Sequence, residues 1–147
     1  MPTRTARTAW NGNLLEGSGQ VELTSSGVGT YEVSFPKRAA DDADGTTSPE
    51  ELIAGAHSAC YAMALALRLG EHRAVPERLA ITATVTLDAV GGVPTIVSSH
   101  LDVAARVPGL DKAGFDTAVG EASELCPVSR LFAGATITVD ATLEPAA

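Results

Sequence analysis

The chain has 147 residues, a formal net charge of -8 and two cysteines. The length predicts one domain, residues 1–147, that can bury a core. The acidic balance argues against a nucleic-acid partner or an anionic membrane surface, and two cysteines alone cannot form a structural zinc tetrad. The N-terminus lacks the apolar run of a signal peptide, and no segment is expected to span a bilayer. We therefore expect a cytoplasmic protein with reduced thiols.

Three short strands are predicted in the N-terminal third of the chain, each bounded by turn-forming residues. They cover residues 5–10, 20–24 and 30–35. The polar stretch from Pro36 to Thr47 follows, and we expect it to be a loop that leads into a long helix.

Residues 48–70 are predicted to form one long central helix. Ser48 is a favourable N-cap, and Glu51 three residues later completes a capping box. Gly70 is expected to end the helix in a left-handed conformation. Residues 52–67 carry no formal charge, which indicates a helix buried on all sides. Because a chain of this size hardly surrounds such a helix, we expect a second subunit to help cover it.

The second half of the chain predicts a hairpin, a helix and a last strand. Its strands cover residues 79–90, 95–107 and 135–143. Gly91 and Gly92 form the hairpin turn, Asp111 caps the helix, and Pro127 breaks or restarts it. The whole order predicts an α+β fold with mostly antiparallel sheets.

The two cysteines are candidates for chemistry. Cys60, in the middle of the central helix, is either a small apolar core residue or a reactive thiol that receives a cation through the fold. Cys126 precedes Pro127. If Pro127 occupies the first turn of a helix, Cys126 is the N-cap and the helix dipole favours its thiolate. The alternative is a helix break with an incidental cysteine.

Three other side chains have an ordinary structural explanation beside a functional one. Glu50 lies in the first turn of the helix, where the dipole favours any carboxylate, but it is free for a partner because Glu51 serves the capping box. Arg38 lies on the preceding loop, where it is either a solvated charge or that partner. His57 is either a hydrogen-bonded core residue or a metal ligand together with Cys60 and Cys126.

Several segments together resemble the osmotically inducible protein C (OsmC) family. They are AWNG at 9–12, SPEELI at 48–53, AHSACYAMAL at 56–65, VPG at 107–109 and CPVS at 126–129. The organic hydroperoxide resistance (Ohr) proteins are similar, but the position of Arg38 before the helix resembles the OsmC branch.

The resemblance implies an OsmC-like fold and an antioxidant activity. It implies an intertwined homodimer with a long helix behind each sheet. It also implies a thiol-dependent peroxidase that reduces organic hydroperoxides, and hydrogen peroxide, without a cofactor or a metal. Cys60 matches the peroxidatic cysteine, Cys126 the resolving cysteine, and Arg38 and Glu50 the pair that activates the thiol. A disulfide between Cys60 and Cys126 would close in each turnover, and a dithiol would reduce it.

Helix geometry adds a prediction about the dimer. Glu50 and Cys60 are ten residues apart, about 15 Å along one helix. We therefore expect Glu50 and Arg38 to act on Cys60 of the other subunit. The apolar residues that flank Cys60 further predict a preference for organic hydroperoxides over hydrogen peroxide, because an alkyl tail gains by burial.

Two other functions remain open from the residues alone. The first is a non-catalytic dimeric module that binds a small apolar ligand and has two structural cysteines. The second is a zinc hydrolase whose metal is held by His57, Cys60 and Cys126.

Overall fold

The computed structural model describes residues 1–134 and confirms the α+β class. Its elements in chain order are β1 Arg7–Asn11, β2 Ser18–Glu22, β3 Thr30–Val33, α1 Phe35–Arg38, α2 Pro49–Glu71, β4 Arg78–Val90, β5 Val93–Arg106, α3 Lys112–Leu125 and α4 Pro127–Gly134. The strand predicted at residues 135–143 lies outside the described residues.

The chain divides into two compact units. The first contains residues 1–55 and 83–100, and the second contains residues 56–82 and the described residues from 101 to 134. The single domain expected from the length stays a prediction.

The first unit contains an antiparallel sheet in the order β1-β2-β3. Trp10 of β1 pairs with Gly19 of β2, where a Cβ atom would lie 2.8 Å from the Ala9 carbonyl oxygen and 2.9 Å from the Trp10 ring. A larger residue at position 19 would therefore have to displace both the β1 backbone and the indole. The strand predicted to reach residue 35 ends at Val33.

The stretch from Pro36 to Thr47 is not wholly a loop, because its first residues belong to the one-turn helix α1. Ser34 caps α1 and accepts a hydrogen bond from the Lys37 amide, and Pro36 lies in the first turn. Proline suits that position because its missing N–H would have no partner there. The prediction of a continuous loop was wrong for this reason.

The predicted hairpin is confirmed as a two-stranded sheet of β4 and β5. Gly91 and Gly92 connect the strands with φ of 58° and 79°. Both values favour glycine, and they are typical of the tight turn that matches the twist of two antiparallel strands.

Helix α2 has the predicted start but a different end. The Ser48 hydroxyl accepts from the Glu51 amide at 3.1 Å, which confirms the N-cap. The Glu51 carboxylate accepts from the Thr47 hydroxyl. Gly70 is helical, and the left-handed residue is Arg73, with φ of 59°. The helix continues past Gly70. Its end is closed by a hydrogen bond from the Ala74 amide to the Leu69 carbonyl, at 2.8 Å.

The burial of α2 within one chain is one-sided. Its buried residues are His57, Tyr61, Ala64, Leu65 and Leu69. Met63 and Leu67 are 74% and 54% exposed. The uncharged run predicted a helix that is buried on all sides. One chain buries only one side of it.

The length of α2 corrects a second expectation. This helix of 23 residues is long and apolar enough to cross a membrane by length and composition. The expectation that no segment meets those criteria was wrong, because the helix extends beyond its uncharged run at both ends. A core helix of a soluble protein meets the same criteria.

The core of the second unit forms where α2 meets α3. Asp111 caps α3 as predicted, accepting from the Gly114 amide at 2.8 Å. Tyr61 is almost fully buried, and its hydroxyl donates to the Val119 carbonyl at 2.9 Å. Ala118 and Ala122 present only methyl groups in this core, which lets α3 approach α2 closely.

Candidate active site

Arg38 and Glu50 form a bidentate ion pair in the first unit. Arg38 Nε donates to the two carboxylate oxygens at 3.0 and 3.1 Å, and Nη2 donates to Oε1 at 2.6 Å. Arg38 is the last residue of α1, and Glu50 lies in the first turn of α2. The two helices thus hold the guanidinium fork in one orientation.

The environment of Glu50 keeps its carboxylate charged. Burial raises its pKa, but the hydrogen bonds from Arg38, its own backbone amide and the charge of Arg38 together bring the pKa below its usual value. The neighbouring Lys37 is engaged elsewhere, in an exposed ion pair with Asp44 at 2.9 Å. Of the two adjacent basic residues, Arg38 is therefore the one that Glu50 holds.

A cavity of about 130 Å³ lies beside the Arg38 side chain. Its walls are mainly apolar and include Trp10, Leu14, Val33 and Phe35. A cation at the edge of an apolar cavity suits a ligand with one polar end and one hydrocarbon end.

The two cysteines meet in the second unit. Both are free thiols, and their side chains are in hydrogen-bond contact. Cys60 in α2 is partly exposed, whereas Cys126 is fully buried. Only Cys60 is therefore open to a solute in this chain.

Cys126 occupies the junction between α3 and α4. Its amide donates to the Ala122 carbonyl at 2.9 Å, and its carbonyl accepts from the Arg130 amide at 3.1 Å. The residue thus ends α3 and caps α4, with Pro127 at the first helical position. This is the N-cap arrangement that the Cys-Pro pair predicted.

The two thiols differ in acidity. Burial raises the pKa of Cys60, and its contact with Cys126 raises that pKa further, against a hydrogen bond from the Val128 amide. Burial also acts to raise the pKa of Cys126, but hydrogen bonds from Ser129, Cys60 and the Val128 amide lower it overall. The helix N-terminus thus favours negative charge on Cys126 within one chain.

His57 is a buried core residue with a hydrogen-bond partner. It is 4% exposed, and its Nε2 lies 2.9 Å from the Ser129 hydroxyl oxygen. Its ring packs edge-on against Phe132, with centroids 5.8 Å apart, and burial lowers its pKa. In residues 1–134, no group of His, Cys, Asp and Glu residues could hold a metal ion, which contradicts the proposed zinc site.

The structure therefore brings the four predicted site residues together as two pairs. Arg38 contacts Glu50 in the first unit, and Cys60 contacts Cys126 in the second. Their catalytic roles stay predictions. The sequence did not predict that Ser129 contacts Cys126. The available signal was a serine at the third helical position after an N-cap cysteine, where its amide faces the cap.

Residues 41–142, more than half of the chain, match the family model described as OsmC-like protein. The chain belongs to the OsmC-like protein family. The match includes Glu50, Cys60 and Cys126, and it begins just after Arg38.

Relatives in this family align with most of the chain. Peroxiredoxin OsmC of Escherichia coli (strain K12) is 37% identical over 135 residues, which cover 92% of this chain and 92% of that protein. The organic hydroperoxide resistance protein of Xanthomonas axonopodis pv. citri (strain 306) is 28% identical over 117 residues, or 76% of this chain and 75% of that protein.

A solved structure supports the same assignment. The crystal structure of an organic hydroperoxide resistance protein from Elizabethkingia anophelis has a TM-score of 0.67 and 25% identity, covering 90% of this chain and 91% of that one. The predicted OsmC-like fold is confirmed.

Proposed function

We propose that this OsmC-like protein is a thiol-dependent peroxidase that reduces organic hydroperoxides to alcohols, and hydrogen peroxide to water. The contact between an accessible cysteine and a buried cysteine at a helix N-terminus carries this proposal. The names of the two relatives, a peroxiredoxin and an organic hydroperoxide resistance protein, support the same activity.

The accessibility of the two sulfurs assigns their roles. Cys60, the exposed one, attacks a peroxide oxygen as a thiolate; the O–O bond breaks, and the alcohol leaves after protonation. Cys60 becomes a sulfenic acid. Cys126 then attacks the Cys60 sulfur, and a disulfide and water form. A dithiol reductant supplies the two electrons that reopen the disulfide, and is itself oxidised to a disulfide.

The raised pKa of Cys60 means that its thiolate needs a cation. Helix α2 is continuous from Pro49 to Glu71, so Glu50 and Cys60 are separated by about 15 Å of helix rise. We therefore assign the activating guanidinium to a partner subunit. Arg38, held by Glu50 in one chain, would lower the pKa of Cys60 in the other chain and stabilise charge on the peroxide oxygens.

The exposed apolar residues of α2 support the homodimer that this arrangement requires. Met63 and Leu67 lie on a helix that two copies would bury between them. The paired free cysteines fit a reducing compartment, so the proposed location is the cytoplasm. We propose neither a membrane nor a nucleic acid as a partner.

The cavity beside Arg38 supports a preference for organic hydroperoxides. An alkyl or aryl group bound against Trp10 and Phe35 would gain roughly 25 cal/mol for each Å² of apolar surface removed from water. The peroxide end would then lie beside the guanidinium. Hydrogen peroxide has no hydrocarbon part and gains none of this energy.

Intact-mass analysis after one equivalent of cumene hydroperoxide tests the proposed function. The wild type should lose two thiols per chain and form a disulfide. Cys126→Ser should accumulate a sulfenic acid, and Cys60→Ser should not react. If the wild type keeps both thiols, the peroxidase proposal is wrong and the non-catalytic module that binds a small apolar ligand is favoured.

A further inference from the structure

A line of hydrogen-bonding groups leads from the buried ring of His57 to the sulfur of Cys126. His57 Nε2 lies 2.9 Å from Ser129 Oγ, and both the Ser129 hydroxyl and its amide form hydrogen bonds with Cys126. His57 lies in α2, Ser129 lies in the first turn of α4, and Cys126 caps α4, so the line joins two helices. All of these residues belong to the second unit.

The chemistry of the three groups fixes where the hydrogens lie. Burial keeps His57 neutral at neutral pH, so one ring nitrogen donates and the other accepts. The Ser129 hydroxyl has one hydrogen, and a thiolate at Cys126 can only accept it. The hydroxyl oxygen must then accept from His57, which places the imidazole proton on Nε2. Hydrogen bonds aligned in this way strengthen one another.

We propose that His57, acting through the Ser129 hydroxyl, is a positioning residue that stabilises Cys126 as a thiolate. It would thereby set the rate of closure of the Cys60–Cys126 disulfide and the sulfur at which that disulfide is reopened. This inference rests on the proposed peroxidase function.

The closing step is balanced without any further reactant. The Cys126 thiolate attacks the sulfur of the Cys60 sulfenic acid, the S–S bond forms, and the S–O bond breaks. The departing hydroxide takes up the proton that Cys126 released, so that thiol and sulfenic acid give a disulfide and one water. A more stable Cys126 thiolate raises the fraction of molecules ready to attack at neutral pH.

The same stabilisation determines the direction of the reopening step. A sulfur leaves a disulfide faster when hydrogen bonds stabilise its thiolate, as those from Ser129 do for Cys126. A thiolate of the dithiol reductant should therefore attack Cys60, which is also the more exposed sulfur. The second reductant thiol then displaces Cys60 from the mixed disulfide.

Among residues 1–134, the titratable groups along this line of contacts are Cys60 and His57. Cys60 contacts Cys126 directly, and His57 reaches it through Ser129. The Val128 amide forms hydrogen bonds with both sulfurs and does not titrate. A change in the pH profile of closure after substitution of His57 therefore reports on the Cys126 thiol.

The experiment separates the two half-reactions in single turnovers of the full-length protein with cumene hydroperoxide. A sulfenic-acid trap measures the first step, and thiol loss with intact mass measures closure. His57→Leu and Ser129→Ala should not slow the first step but should slow closure about tenfold at neutral pH, with its pH profile displaced to higher pH. His57→Gln, whose amide donates near the position of Nε2, and Ser129→Thr should restore closure.

Two results would overturn the inference. One is an unchanged closure rate in both His57→Leu and Ser129→Ala. The other is an equal loss of both half-reactions with no rescue by His57→Gln, which would indicate a merely structural role. A monothiol mixed disulfide found on Cys126 rather than Cys60 would contradict the reopening direction.

A third measurement does not depend on peroxidase activity. In the Cys60→Ser background, thiolate absorbance of Cys126 is titrated against pH with and without His57→Leu. A rise in the pKa of Cys126 on removal of the imidazole supports the inference even if the chain reduces no peroxide. An unchanged pKa of Cys126 contradicts the inference even if the chain reduces peroxides.

Discussion

Glu50 and Asp44 each accept a hydrogen bond from one of two adjacent basic residues, but in different surroundings. The Glu50 side chain is 12% exposed and its partner Arg38 is 32% exposed, whereas Asp44 is 74% exposed. The exposed pair of Lys37 and Asp44 is screened by solvent and contributes little to stability or activity. The two carboxylates therefore form a matched test of the site.

Glu50→Gln should lower kcat/KM for cumene hydroperoxide about a hundredfold, because the guanidinium loses the anion that orients it towards the reacting oxygens. Asp44→Asn should leave kcat/KM unchanged. Steady-state peroxide consumption measures both. An equal effect of the two substitutions would show that Glu50 acts only through the general charge of this segment.

His57 makes the stability of the protein sensitive to mild acid. Its folded-state pKa lies below 6.5, so the unfolded chain binds the proton first as the pH falls. The stabilisation is complete above pH 6.5 and is lost as the pH falls through the folded-state pKa. Compared with His57→Gln, the wild type should therefore lose unfolding free energy below pH 6.5. Denaturant unfolding across pH measures it, and parallel profiles of the two proteins would contradict it.

At the scale of single elements, local signals carried most of the prediction. The caps at Ser48 and Asp111 and the turn at Gly91 depend on residues within a few positions of each other, and all three are confirmed. The end of α2 was misplaced because a glycine was taken as the left-handed residue, whereas the left-handed residue is Arg73, next to the Ala74 amide that donates to the Leu69 carbonyl.

The contacts of the site were less accessible from sequence than its residues. His57 and Ser129 are separated by 72 positions, and no local pattern indicates that they meet. Likewise, the choice of Arg38 over Lys37 rested on resemblance, and only the folded geometry shows which of them Glu50 holds. Pairings across the fold depend on how helices pack, which periodicity alone does not determine.

The N-cap of α2 also positions the ion pair, because Glu50 follows it by two residues. Ser48→Ala should destabilise the protein by about 1 kcal/mol, since the Glu51 amide loses its acceptor. Ser48→Asp should retain the stability. Thermal unfolding at constant protein concentration measures the three proteins. Equal stability of Ser48→Ala and the wild type would mean that another group satisfies the amide.

At the scale of the whole molecule, the proposed active site needs two chains. In the proposed homodimer, Glu50→Ala and Cys60→Ser should each abolish activity, by different routes. If the site is shared, a mixed dimer contains one intact site, with Glu50 from one chain and Cys60 from the other. Mixing the two variants after unfolding and refolding should therefore recover activity, measured as peroxide consumption.

Each variant refolded alone is the control and should stay at its own low level. Mixtures in which mass spectrometry shows mixed dimers, yet activity does not rise, would place Glu50 and Cys60 of one site on the same chain.

The backbone at Cys126 is anchored from both directions, since its amide ends α3 while its carbonyl begins α4. Such a residue cannot swing outward without unravelling two helices at once. The sulfur must therefore complete its chemistry by side-chain rotation alone, with Cys60 already in contact. Reduced and oxidised protein should then exchange their amide hydrogens at nearly equal rates around this junction, so the enzyme would cycle without exposing its interior to proteases.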